Sequence, residues 1–150
     1  MIQHDLNESE IKNLALYLMK IHGTEKTESW TFRIGRTISA VALCRWDISR
    51  IEFSRHFIHR ISMDGLKEAI LHEIAHVIVG PYSELHGKEW QEIMRGFGYP
   101  DASPYIQVFS IPEYRYGLFD GEELVKGFYR RPRPSTIEAT MPQLEFRKIG

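Results

Sequence analysis

The stretch SMDGLKEAILHEIAHVIVGP, residues 62–81, decides how this chain is read. Ser62 is a residue type that caps helix N-termini, and Asp64 falls in the first turn, where the dipole favours an anion. Leu66, Ala69, Ile70, Ile74, Val77 and Ile78 recur at helical spacing, and Gly80-Pro81 is a strong stop. The pattern predicts a helix over residues 62–79. Its second half contains His72-Glu73-Ile74-Ala75-His76, an HExxH motif. On a helix, positions i and i+4 lie one above the other, so the two imidazoles share a face. Two such imidazoles can hold one Zn²⁺ through Zn–N bonds of about 2.0–2.1 Å. A Glu next to the first His can take a proton from a water at the metal.

A chain of this composition produces HExxH by chance in roughly 3% of shuffles, so the surrounding pattern has to carry the reading. Two His and a Glu on an otherwise apolar helix are costly to bury without a partner, and a metal removes that cost. The competing reading is an amphipathic helix with two solvated His.

A zinc centre of this type takes a third protein ligand and leaves a fourth position for water. The pattern HExxHxxGxxH is excluded, because Val79 and Tyr82 stand where its Gly and His would be. A Glu from a following helix is one option, with Glu89 and Glu92 available. His86 is the other. It opens His86-Gly87-Lys88-Glu89-Trp90, just before a second helix expected over residues 87–95. Ligand type and the short return loop favour His86. Glu89 then serves as an acidic first-turn residue, and Glu92 as a solvated helix position.

Composition sets the limits. At 150 residues and 17.6 kDa, one domain with a small appendage is expected. The net charge of −1 supplies no global field for nucleic acid or acidic lipid. A single Cys, Cys44, rules out an internal disulfide framework and a cysteine-based zinc finger. It shares a strand face with Ala42 and Trp46 and reads as a small core residue. There is no apolar run of membrane-spanning length, and the polar start is unlike a signal peptide. The expectation is a soluble, cytoplasmic protein that does not enter membranes.

Upstream, Asn7 or Ser9 caps a first helix running to about His22, with Ile11, Leu14, Leu18 and Ile21 as its apolar stripe and Gly23 as its stop. Residues 30–37 and 39–47 alternate apolar and polar and read as a hairpin, followed by a short strand over 51–54. Downstream the chain reads as β from Ile106. Asp120-Gly121 turns a hairpin between 114–119 and 123–130, residues 130–135 (RRPRPS) form a Pro-rich basic linker, and 144–149 give a last strand. His56 and His59 sit three apart, but nothing near them in sequence completes a second metal site. His4 and His22 read as surface residues, and Trp90 as core rather than a substrate platform. Lys126, Arg130, Arg131 and Arg133, with Phe128 and Tyr129, mix basic and aromatic side chains as single-stranded nucleic-acid sites do. A solvated linker face is the commoner reason for such a cluster.

The set His72, Glu73, His76, His86, Gly87, Trp90 and Met94, behind the strands of residues 35–37, 42–46 and 51–54, resembles the SprT-like metallopeptidases, the group that includes the Spartan proteases. The resemblance spans about residues 8–130. It implies His72, His76 and His86 as ligands of one Zn²⁺ and Glu73 as catalytic base. Many relatives carry a C-terminal zinc ribbon built on two Cys pairs. Here 114–122 and 127–132 look like ribbon strands with the cysteines replaced, which weakens transfer of any DNA contact the ribbon makes.

The expected fold is α+β: an N-terminal helix, a small antiparallel sheet of about three strands, the HExxH helix with a short helix after it, and a C-terminal β hairpin resembling a zinc ribbon without cysteines. Residues 1–100 would form the metallopeptidase core and 101–150 the small β element. The expected function is zinc-dependent endopeptidase activity on a protein or peptide substrate, with DNA-associated proteins as one class. Tyr82 and Tyr99 are candidates for stabilising the oxyanion. Two alternatives stand beside it: a nucleic-acid-binding module with a structural zinc, and a deformylase-like hydrolase for which Cys44 is the sole candidate cysteine ligand.

Overall fold

The computed structural model describes residues 4–37, 40–106, 114–138 and 144–149. The fold is α+β and divides into two compact units, Met1–Ile111 and Pro112–Gly150.

The first unit begins with α1 (Glu8–His22). Asn7 caps it through a reciprocal box: its side chain accepts from the Glu10 N–H at 2.9 Å, and Glu10 Oε1 accepts from the Asn7 N–H at 3.1 Å. The buried stripe is Ile11, Ala15 and Leu18. Leu14 packs at its margin and Ile21 is exposed, so the apolar face is rotated from the one expected. The helix ends at Gly23, where the backbone turns extended and there is no room for a side chain. A Cβ there would lie 2.2 Å from Thr27 Oγ1 and 2.3 Å from the Met19 carbonyl.

Three strands follow: β1 (Thr31–Gly35), β2 (Ala42–Arg45) and β3 (Arg50–Ser54). Their order is β1-β3-β2. β3 runs parallel to β1, from Thr31↔Arg50 to Gly35↔Ser54, and antiparallel to β2, from Ala42↔Phe53 to Arg45↔Arg50. The first two strands are therefore not a hairpin with each other. Six residues separate β1 from β2 and four separate β2 from β3, and hairpin loops favour the shorter connection. β3 holds the centre with Ile51 and Phe53, both fully buried. Ser39, the expected start of the second strand, lies outside the described residues, as do residues 107–113 of the expected β stretch after Ile106.

Residues 55–62 carry Phe57, Ile58 and Ile61 into the core and lead to α2 (Met63–Val79). Ser62 caps α2, accepting from the Gly65 N–H at 3.0 Å. Its buried residues run continuously from Ala69 to Ala75, so the helix passes through the core rather than along its surface. Gly80, at φ 94°, ends it. α3 (Lys88–Gly96) then returns against it, with Trp90 and Met94 packed on Ala75. His4 is buried, in contrast to the surface position expected. Its Nε2 bonds the Ile58 carbonyl, and its Nδ1 accepts from the Leu6 N–H at 3.1 Å. His22 packs edge-on against Phe97.

The second unit holds β4 (Tyr116–Asp120), β5 (Glu123–Phe128), α4 (Pro134–Glu138) and β6 (Glu145–Lys148). The sheet order is β5-β4-β6 with both pairings antiparallel, so the expected hairpin and last strand form one sheet. Gly121, at φ 61°, makes the turn. The linker expected over 130–135 is interrupted, because Pro134 begins α4 and a Pro is well placed in a first helical turn. Among the described residues no helix is long and apolar enough to cross a membrane.

Candidate metal centre

His72 and His76 stand one turn apart on α2, and the loop of residues 80–86 brings the third imidazole back to them. His86 sits at φ 56°, a left-handed conformation that side chains with a Cβ avoid. Such positions cluster where geometry serves a site.

The three Nε2 atoms form a triangle: His72 to His76 3.2 Å, His76 to His86 3.0 Å and His72 to His86 3.0 Å. Hydrogen bonds cannot account for all three sides, since a ring nitrogen either donates or accepts and three of them cannot alternate around a triangle. Tetrahedral zinc with bonds of about 2.0–2.1 Å would set its nitrogens about 3.3 Å apart. The triangle fits that donor set within a few tenths of an ångström. Among the described residues, these three make the cluster able to hold a metal ion. Glu89 and Glu92 are exposed and do not join it.

The surroundings keep the imidazoles neutral, which a metal ligand must be. Burial, then the nearby His76 and His86, pushes His72 down to about 3. Burial, then His86, pushes His76 down to about 4, and burial lowers His86. Trp90 is core, as its pattern suggested, and it also forms the floor of the centre. Its ring centroid lies 4.8 Å from those of His72 and His86 and 5.6 Å from that of His76. Its indole N–H donates to the His72 carbonyl at 3.2 Å.

Glu73 is buried beside the triangle, its Oε1 4.0 Å from His72 Nε2. Cys44, on β2, donates its S–H to Oε2 at 3.2 Å. Burial pushes the Glu73 carboxyl up to about 7, and the Cys44 bond offsets this in part. Burial, reinforced by the Glu73 carboxylate, holds the thiol protonated far above the usual range. Cys44 is thus more than a small core residue. Its sulfur faces Glu73 and is not part of the ligand cluster, which removes the structural basis for a cysteine-ligated centre. Strand alternation placed Cys44 on the Ala42 face, but not that this face meets α2 at Glu73.

A cavity of about 530 Å³ opens onto His72, Glu73, His76, His86 and Cys44. Tyr105 lines it; Tyr82 and Tyr99 do not. Tyr82 is fully exposed, and Tyr99 packs against the hydrophobic core. Lys126, Arg130, Arg131 and Arg133 are exposed in the second unit. Lys126 lies 5.4 Å from the Phe128 ring and Arg131 5.6 Å from the Phe146 ring, so both have aromatic partners within their own unit. His59 lies near the His4 ring, and neither it nor His56 belongs to a metal-holding cluster among the described residues.

Fold and site together define a small α+β protein with a three-histidine centre on a helix and a buried carboxylate at its side. The SprT-like family model matches residues 12–108, about two-thirds of the chain, and the chain belongs to the SprT-like family. Among solved structures it is similar to the metallopeptidase zymogen jannalysin of Methanocaldococcus jannaschii, at 18% identity and a TM-score of 0.47 over 62% of this chain and 83% of that one. Comparison with curated proteins finds no match.

Proposed function

We propose that this protein is a zinc-dependent endopeptidase in which Glu73 is the general base. The observation that carries the reading is the convergence of three Nε2 atoms within 3.0–3.2 Å beside a buried carboxylate. Family membership supports peptidase chemistry. Bound by His72, His76 and His86, zinc would supply Lewis acidity toward a water and the scissile carbonyl.

The chain's own groups supply the proton transfers. Cys44 occupies Glu73 Oε2 and leaves Oε1 toward the centre. Oε1 accepts the proton of the attacking water as the carbonyl carbon is engaged. The same carboxyl then returns that proton to the leaving amine. Burial disfavours the ionised carboxyl, which strengthens its pull on the proton of the water. Trp90 packs against the three imidazoles and holds their rings in place on the side away from the cavity lining.

Glu73→Gln should keep one zinc per chain and lose at least about a hundredfold in turnover, the scale of a lost general base. A Glu73→Gln protein with full peptidase activity would end the mechanism. His86→Ala should lose stoichiometric zinc, whereas Glu89→Ala and Glu92→Ala should keep it. DNA-associated proteins remain a proposed substrate class. Cleavage of a basic DNA-binding protein with and without single-stranded DNA tests it, and rates unaffected by DNA would leave a general peptidase.

A further inference from the structure

We infer that the cavity selects peptides by a large apolar side chain next to the scissile bond and turns away acidic ones. This deepens the peptidase reading and rests on it. Two observations carry the inference. The first is exposed apolar surface at the rim of a polar centre. Leu85 is 70% exposed, Tyr105 81% and Trp46 39%, and all three line the same cavity. Val41 and Leu43, half-buried, extend the apolar wall on the β2 side. Large apolar side chains gathered at the rim of a concave site mark a surface that a ligand covers. The volume of about 530 Å³ suits a few side chains rather than a folded partner.

The second observation is charge. The cavity lining includes Glu73 and Glu84 but no Lys or Arg. A carboxylate brought to these walls would meet Glu84, with no Lys or Arg in the lining to pair with it. The walls therefore favour Leu, Phe or Met and disfavour Asp or Glu. A phosphate backbone is equally poorly served by this lining.

The test uses the full chain loaded with zinc and a fluorogenic peptide series differing only at the residue flanking the cleaved bond: Leu, Phe, Ser or Asp. Two readouts are taken: kcat/KM with the wild type, and peptide binding to zinc-loaded Glu73→Gln by fluorescence anisotropy. The Leu and Phe peptides should exceed the Ser peptide by at least about tenfold in both, with Asp lowest, as apolar pockets discriminate on that scale. Leu85→Ser and Tyr105→Ser change exposed side chains, so zinc content and Tm should hold while the Leu-to-Ser ratio falls below about threefold. Equal handling of all four peptides, or preference for Asp, overturns the inference while leaving the peptidase reading intact. Selective binding with no cleavage of any peptide by the wild type supports the cavity inference and overturns the reaction proposed above.

Discussion

Glu73 has two carboxylate oxygens in different surroundings, and Cys44 makes the difference: its S–H holds Oε2 at 3.2 Å, while Oε1 points to His72. Removing that bond frees the carboxylate to rotate from its working orientation. Cys44→Ala should keep one zinc per chain and lower kcat roughly fivefold with little change in KM, the scale of about 1 kcal/mol for a hydrogen bond. Cys44→Ser, which restores a donor, should recover most of the loss, and an unchanged kcat in the alanine variant would show that the contact is passive. The histidines set a pH dependence of their own. Their pKa values in the fold are depressed, to about 3 for His72 and about 4 for His76, against an ordinary 6.5. Below pH 6.5 the unfolded chain therefore takes up protons that the folded chain refuses, and stability is lost as pH falls toward 3. Glu73 acts in the opposite sense, since its raised value of about 7 removes stability as pH climbs from 4.5 through 7. Two histidines outweigh one carboxyl over the shared range. Thermal melts of the chelated protein should thus show a maximum near pH 6.5 and a steep decline on the acid side, whereas a flat profile from pH 4 to 7 would contradict the burial of the triad.

Helix α2 and the loop behind it hold the centre together, and Gly80 is where one becomes the other. Its φ of 94° is open to glycine and strained for any residue with a Cβ, although a Cβ there would meet nothing within 4 Å. The cost of Gly80→Ala is then backbone strain alone, about 1–2 kcal/mol. Because this turn starts the path to His86, zinc affinity should fall together with stability. Gly96, at the end of α3, also has open space but no positive φ, so Gly96→Ala should be neutral or stabilising by up to about 1 kcal/mol. Urea titrations of the two variants, with zinc binding measured in parallel, separate the two cases. The same distinction explains what was legible from sequence. The cap at Asn7 (one of two candidates, with Ser9), the Ser62 cap, the Gly80 stop and the i,i+4 histidines are set within a few residues, and each was readable; the Glu10 half of the Asn7 box was not read. The order β1-β3-β2 depends on Ile51 and Phe53 choosing the centre of the sheet, and Cys44 meets Glu73 across 29 positions. Neither pairing leaves a local signature. His86 was readable only because its chemistry matched a gap that the helix had already defined. His4 was not, because only the folded chain brings the Ile58 carbonyl to it.

Across the whole molecule, apolar burial is unevenly distributed. Of the buried hydrophobic side chains among the described residues, all but Leu118 belong to the first unit. That unit also contains every residue of the candidate centre and its cavity. The second unit spans Pro112–Gly150, with Tyr114, Leu124, Val125 and Ile149 exposed and cation–π pairs such as Arg147 over Phe119, at 4.7 Å. Chains shorter than about 40 residues seldom bury enough to fold alone without a metal or a disulfide. This one has no cysteine with which to recruit either, since the single Cys44 lies in the other unit. A fragment of residues 1–111 should therefore melt cooperatively, bind one zinc and retain cleavage of short peptides. A fragment of residues 112–150 should show no cooperative transition, though its strands can still form in the context of the full chain. If the first fragment fails to bind zinc while the full chain binds it, the centre depends on the second unit and this division of labour is wrong. A sharp melt from the second fragment would mean that its small sheet and aromatic–cation pairs stabilise it well beyond what one fully buried leucine supplies.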